Sequence, residues 1–168
     1  MTRKKTVVLI LCLIIAAMLL AYLVFIAIIS TPTTLNVDPQ TTESAVGQDF
    51  AINISVSSVV DLYGWQLQLS WNKTILPPDK VNATEGPFLK SGGNSTFFYP
   101  RIYENGSLLL DGNRVGNVPG VNGSGVLATI RFHVASSGEC DLHLYGTILL
   151  SSSEKSIAHT VQSGKFST

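Results

Sequence analysis

His133 and His143 occupy outward positions on two successive alternating runs, with Ser136-Ser137-Gly138-Glu139 between them. A hairpin there would set His133 opposite Asp141 and Arg131 opposite His143. A metal site needs three or four converging ligands; these two histidines have no third, so solvated cross-strand pairs are expected and no metal or other cofactor. Asp111-Gly112-Asn113 has the opening of a calcium loop but lacks the remaining oxygen ligands at the proper spacing. The chain contains no G-x-S-x-G, no H-E-x-x-H and no Cys/His pair. Its carboxylates are few and scattered, which gives a paired-acid hydrolase no support. Cys12 lies in a hydrophobic run and Cys140 in an alternating one, so a disulfide between them is not expected; Cys140 reads as a small core residue. These residues argue against an enzyme and for non-covalent recognition.

Recognition directs attention to the aromatic side chains. Tyr63, Trp65 and Trp71 recur on one face of an alternating run and could form a sugar-stacking platform. They share that face with Leu67 and Leu69, so core packing is the stronger reading. Tyr99, Tyr103 and Tyr145 are the better candidates for exposed rings. On the opposite side of the same run, Gln66, Gln68 and Ser70 form a neutral polar row. Such groups are less costly to desolvate under a partner than charges, so this row is the expected partner-binding surface, with Asn72 closing it.

The elements that must position these residues fall into two regions. Residues 1–6 form a basic tail with Arg3, Lys4 and Lys5. Val7–Ile29 is apolar without a charge, and at about 1.5 Å per residue a helix of that length spans roughly 34 Å, enough to cross a bilayer. Its length exceeds a secretory signal core, and Ala27–Thr31 offers a poor cleavage site, so an uncleaved transmembrane signal anchor is expected. Cations flank only its N-terminal side, which puts the tail in the cytoplasm and the rest outside the cell. Residues 30–34 form a short tether, and residues 35–168 the extracellular domain.

Export agrees with the N-x-[S/T] sequons at Asn53, Asn72, Asn82, Asn94, Asn105 and Asn122, the expected N-glycosylation sites. The formal net charge is zero; with no basic stripe, nucleic acid is not an expected partner.

Within the domain, period-two alternation marks Phe50–Val56, Tyr63–Trp71, Val126–Val134 and Cys140–Tyr145 as strands, and Thr96–Tyr103, with Phe97, Phe98 and Tyr99, gives another. Further strands are expected at Leu35–Val37, Ile148–Leu150 and Val161–Phe166. Pro77-Pro78 ends the second run, Glu104-Asn105-Gly106 signals a hairpin, and Gly112–Gly125 reads as a long Gly/Asn loop. Short, regularly spaced strands without an amphipathic helix predict an all-β sandwich, with Phe50, Ile52, Ile54, Trp65, Leu67, Leu69, Ile130 and Phe132 in one core.

Three segments resemble the cohesin domain family. Gly120-Val-Asn-Gly-Ser-Gly-Val-Leu-Ala-Thr-Ile-Arg-Phe-His-Val134 resembles its late core motif. Leu67-Gln-Leu-Ser-Trp-Asn-Lys-Thr-Ile-Leu76 resembles the strand that ends in Tyr-Asp-Pro-x-x-Leu, with Trp71 and Asn72 in place of the Tyr and Asp. Val46-Gly-Gln-Asp-Phe-Ala-Ile-Asn-Ile54 fits the early strand. The resemblance implies a jelly-roll β-sandwich that binds a calcium-loaded dockerin or similar protein without chemistry. In cohesins with well-known dockerin partners an Asn and an Asp face outward on the Tyr-Asp-Pro strand; the matching positions here are Gly64 and Gln66. Three functions are therefore carried forward: a membrane-anchored protein-binding module, a carbohydrate-binding module that holds polysaccharide, and a structural surface subunit.

Overall fold

The computed structural model describes residues 12–20, 22 and 31–168. The chain divides into two compact units, Met1–Thr31 and Pro32–Thr168. In the first, residues 12–20 and 22 are helical. The rest of the expected span 7–29 lies outside the described residues, among which no helix is long and apolar enough to cross a membrane.

The second unit is built around one 22-residue strand. The strands are β1 (Thr34–Asp38), β2 (Thr41–Glu43), β3 (Asp49–Ser70), β4 (Asn82–Glu85), β5 (Thr96–Tyr103), β6 (Ser107–Arg114), β7 (Val121–His133), β8 (Glu139–Ser151), β9 (Thr160–Gln162) and β10 (Gly164–Ser167). The runs Phe50–Val56 and Tyr63–Trp71, expected as two strands, are largely the two halves of β3. Its first half pairs with β1 and β7, its second with β6 and β8. Sheet I is therefore ordered β9-β1-β3-β7-β4 and sheet II β2-β10-β8-β3-β6-β5.

Between the halves the alternation breaks at Ser57–Asp61, where Ser58 and Asp61 take left-handed φ of 54° and 60°. At the far end Phe50 stacks on Phe132 at 5.4 Å and on Phe166 at 4.6 Å, while Trp71 meets Phe132 edge-on at 5.2 Å. The two ends of β3 thus converge, and the strand turns its own halves into opposing layers. Inward residues of both sheets form one buried cluster that includes Ile52, Ile54, Trp65, Leu67, Leu69, Ile130 and Phe132, with Phe50 packed against it. The expected all-β sandwich is observed, and the unit carries its own core.

Asp61 fixes the turn in β3. One carboxylate oxygen accepts from the Gly120 amide at 2.9 Å; the other accepts from the Ser152 hydroxyl at 2.8 Å and amide at 3.2 Å. The Asp61 amide donates to the Asn122 side-chain oxygen at 2.7 Å. The Ser152 hydroxyl and the two amides hold the carboxyl below its usual range, against an opposing effect of desolvation. A carboxyl depressed by folding contributes stability above its unfolded value, near 3.9, and loses it as pH falls through the folded value. Asp61→Asn should therefore lower the melting temperature at pH 7 and flatten its decline below about pH 4. Parallel melting-versus-pH curves for the two proteins would show that this carboxylate contributes nothing.

Three local expectations are corrected. First, β7 and β8 do not form a hairpin: Ser136–Gly138 carry the chain from sheet I to sheet II, so His133 lies opposite Asp49, bonded at 2.7 Å, and His143 opposite Ser70. Second, Gly112–Gly125 is not one loop. β6 continues through Asp111, Gly112 and Asn113 to Arg114, and β7 begins at Val121. Asp111, Gly112 and Asn113 pair with Gln66, Trp65 and Gly64, so they are strand residues and not a calcium loop; position 112 is glycine because a Cβ there would lie 2.7 Å from the Trp65 ring. Third, Tyr63 is not a core residue: a register shift between Leu62 and Gly64 leaves it half-buried, its hydroxyl donating to the Gly116 carbonyl at 2.7 Å.

Candidate functional site

The row expected to bind a partner lies on the outer face of sheet II. Leu67 and Leu69 point into the core, so alternation turns Gln66, Gln68 and Ser70 outward together, each half-buried. Cross-strand register extends this row into a surface. Gln66 lies between Asp111 on β6 and Ile148 on β8, Gln68 between Leu109 and Tyr145, and Ser70 between Ser107 and His143. At the edge, β5 adds Phe97 opposite Asn113, Tyr99 opposite Asp111, Arg101 opposite Leu109 and Tyr103 opposite Ser107.

The β3 row at the centre is neutral, Asp111 beside Gln66 adds one carboxylate, and the flanks carry apolar groups. Ile148, Leu150, Phe97 and Tyr99 are exposed. The Phe97 and Tyr99 rings lie 6.5 Å apart and within 9° of parallel. Arg101 sits 5.0 Å from the centre of the Tyr103 ring, and His143 stacks on Tyr145 at 5.4 Å. A β8 bulge at Gly146 falls beside Gln68, whose amide nitrogen lies 3.0 Å from where a Cβ would stand on that glycine. Of the aromatics expected to be exposed, Tyr99 is open while Tyr103 and Tyr145 are half-buried. Trp65 and Trp71 are buried in the core, and the Trp71 indole donates to the Leu76 carbonyl at 2.7 Å. The sugar platform on that row is thereby removed.

Sequence reasoning did not find Phe97, Ile148 or Leu150 as surface groups, nor Asp111 as a neighbour of Gln66. Their common face depends on pairings between strands remote in the chain.

The sequons distribute unevenly. Asn53 and Asn82 lie on strands of sheet I, Asn122 near the start of β7, and Asn94 in the link before β5. Asn72 and Asn105 lie just beyond β3 and in the β5–β6 turn, at one end of sheet II. None falls within the outer face of β8, β3, β6 and β5.

Among the described residues no group of three or more His, Cys, Asp or Glu side chains could hold a metal ion. Cys140 is half-buried against the core, and burial pushes its thiol up, away from the reactive thiolate.

This architecture is that of a β-sandwich module. The cohesin domain model matches residues 35–167, and the chain belongs to the cohesin domain family. The solved structures it resembles agree in fold. A non-cellulosomal cohesin from the hyperthermophilic archaeon Archaeoglobus fulgidus superposes with a TM-score of 0.64 at 18% identity, over 82% of this chain and 91% of that one. The sixth cohesin of scaffoldin B from Acetivibrio cellulolyticus, solved with a mutant Cel5 dockerin, gives 0.67 at 16% identity, over 82% and 99%. A type I cohesin–dockerin complex from Clostridium thermocellum gives 0.67 at 12% identity, over 80% and 92%. No curated protein matches the chain in sequence.

Proposed function

We propose that this chain is a membrane-anchored extracellular recognition module that binds a protein partner, dockerin-like or another surface or secreted protein, through the outer face of sheet II. The observation that carries this reading is the face itself: four adjacent strands with a neutral centre at Gln66, Gln68 and Ser70, apolar flanks, and no sequon inside it. Aromatic and arginine side chains with few other charges are the composition of protein interfaces. Two of the structurally similar cohesins were solved with dockerins, which supports a protein as the ligand class. The test is retention of secreted proteins on immobilised residues 31–168, with insoluble polysaccharides offered in parallel. A retained protein is expected. Retention of polysaccharide alone would favour the second reading, a carbohydrate-binding module, which the near-parallel Phe97 and Tyr99 rings support.

Anchoring rests on the uncharged apolar run at 7–29 and the cations before it. Glycans on Asn53, Asn82, Asn94 and Asn122 would coat other parts of the domain, and those on Asn72 and Asn105 would bound one end of the docking face. Mass spectrometry of the mature protein reads both points. Peptides from residues 7–29 and occupied sequons are expected; a mature terminus near Thr31 would refute the anchor, and six bare asparagines would refute the glycan coat.

A further inference from the structure

A depression of about 200 Å³ opens on the outer face of sheet II where Gly64 leaves the row without a side chain. Ile148 and Leu150 line one side; Gln66, Asp111 and Asn113 line the other. Asp111 is half-buried, and its carboxylate makes no hydrogen bond or ion pair with any described residue. Desolvation alone raises its pKa, with no donor or cation to offset it. Arg101, two residues further along the neighbouring strand than Tyr99, is turned onto Tyr103 instead. A carboxylate in this condition becomes costly once a docked surface removes its remaining water, unless the partner supplies a counter-charge.

We propose that this depression receives a lysine or arginine side chain of the protein partner, its alkyl stem along Ile148 and Leu150 and its cation on the Asp111 carboxylate. The inference rests on the docking reading above and adds the chemistry that the partner must carry. Long cationic side chains combine an apolar stem with a charged head, matching an aliphatic wall that faces an acid.

The test uses n-butylguanidinium as probe, titrated into methyl-labelled residues 31–168 and followed by NMR, beside guanidinium and n-butanol. Butylguanidinium should shift the Ile148 and Leu150 methyl signals saturably, and each half-probe should bind more weakly. Asp111→Asn should weaken butylguanidinium by about fivefold, the scale of one solvent-facing charge pair. Gly64→Val should abolish the site by filling it, since a Cβ there meets only the Asn113 Cβ at 3.4 Å and the Gly112 carbonyl at 3.7 Å. Undiminished binding of probe and retained partner by Asp111→Asn would overturn the cation site and leave the docking face intact. Full partner binding by the double variant Gln66→Arg, Gln68→Arg would remove the face, and the cation site with it.

Discussion

Trp65→Ala is expected to destabilise the domain by about 3–5 kcal/mol, the range for deleting a buried aromatic. The ring is 4% exposed and is flanked by the two strands that pair with the second half of β3. Its neighbours include Phe98, with ring centres 6.2 Å apart, and the backbone of Gly112. The glycine and the indole are complementary: the ring occupies the space that a side chain at 112 would take. Gly112→Ala should therefore be destabilising alone, by about 1–3 kcal/mol as for other overpacked positions, and close to harmless once Trp65 is alanine. Chemical denaturation of the two single variants and the double variant reads that non-additivity. A loss below about 1 kcal/mol for Trp65→Ala would put the ring outside the well-packed core.

The second large effect concerns binding. Replacing Gln66 and Gln68 together by arginine should leave stability within about 0.5 kcal/mol per site, because both side chains face outward. Affinity for a retained partner should fall about hundredfold or more, since like charges set against an incoming cation cost several kcal/mol. The position-66 substitution acts in a second way. It lies directly opposite Asp111, so its guanidinium can satisfy that carboxylate from within and occupy the place of the partner's cation. Calorimetric titration with the retained partner measures the loss. Wild-type affinity in the double variant would place the contact elsewhere, and the Val115–Gly120 connection would be the next segment to alter.

Much of the sandwich was legible because its strands are half-buried, and half-burial writes itself as alternation. The inward positions of Ile52, Ile54, Leu67, Leu69, Ile130 and Phe132 follow from that pattern alone, as does the outward row of Gln66, Gln68 and Ser70. The continuity of β3 was not legible. Ser57–Asp61 breaks the period, and a turn between strands would break it in the same way; only the pairing on both sides shows that the strand continues. The link between β7 and β8 failed for a related reason. Ser136-Ser137-Gly138 serves a crossing between sheets as well as a hairpin, and nothing local distinguishes them. Gly112 read as loop because its partner Trp65 is remote in sequence. The short edge strands β2 and β4 are mostly polar and carry too few residues to show a period. Asp111 was visible as an acid, but its isolation beside Ile148 exists only after β6, β3 and β8 have been laid side by side.

The turn in β3 also fixes how the domain would carry tension. The chain enters β1 at Thr34, opposite Ser57, beside the turn, and β1 lies between β3 and the parallel strand β9. Thr34 and Ser57 face each other at one end of the antiparallel ladder, so a load entering at Thr34 and leaving through Ser57 falls first on that end pair and then on the pairs behind it, one after another. From Ser57 onward the same backbone runs through the turn, which Asp61 ties to Gly120 and Ser152, and becomes the strand bearing Gln66, Gln68 and Ser70. A partner held on that face is thus joined to Thr34 across the end pair of one ladder and along one unbroken strand.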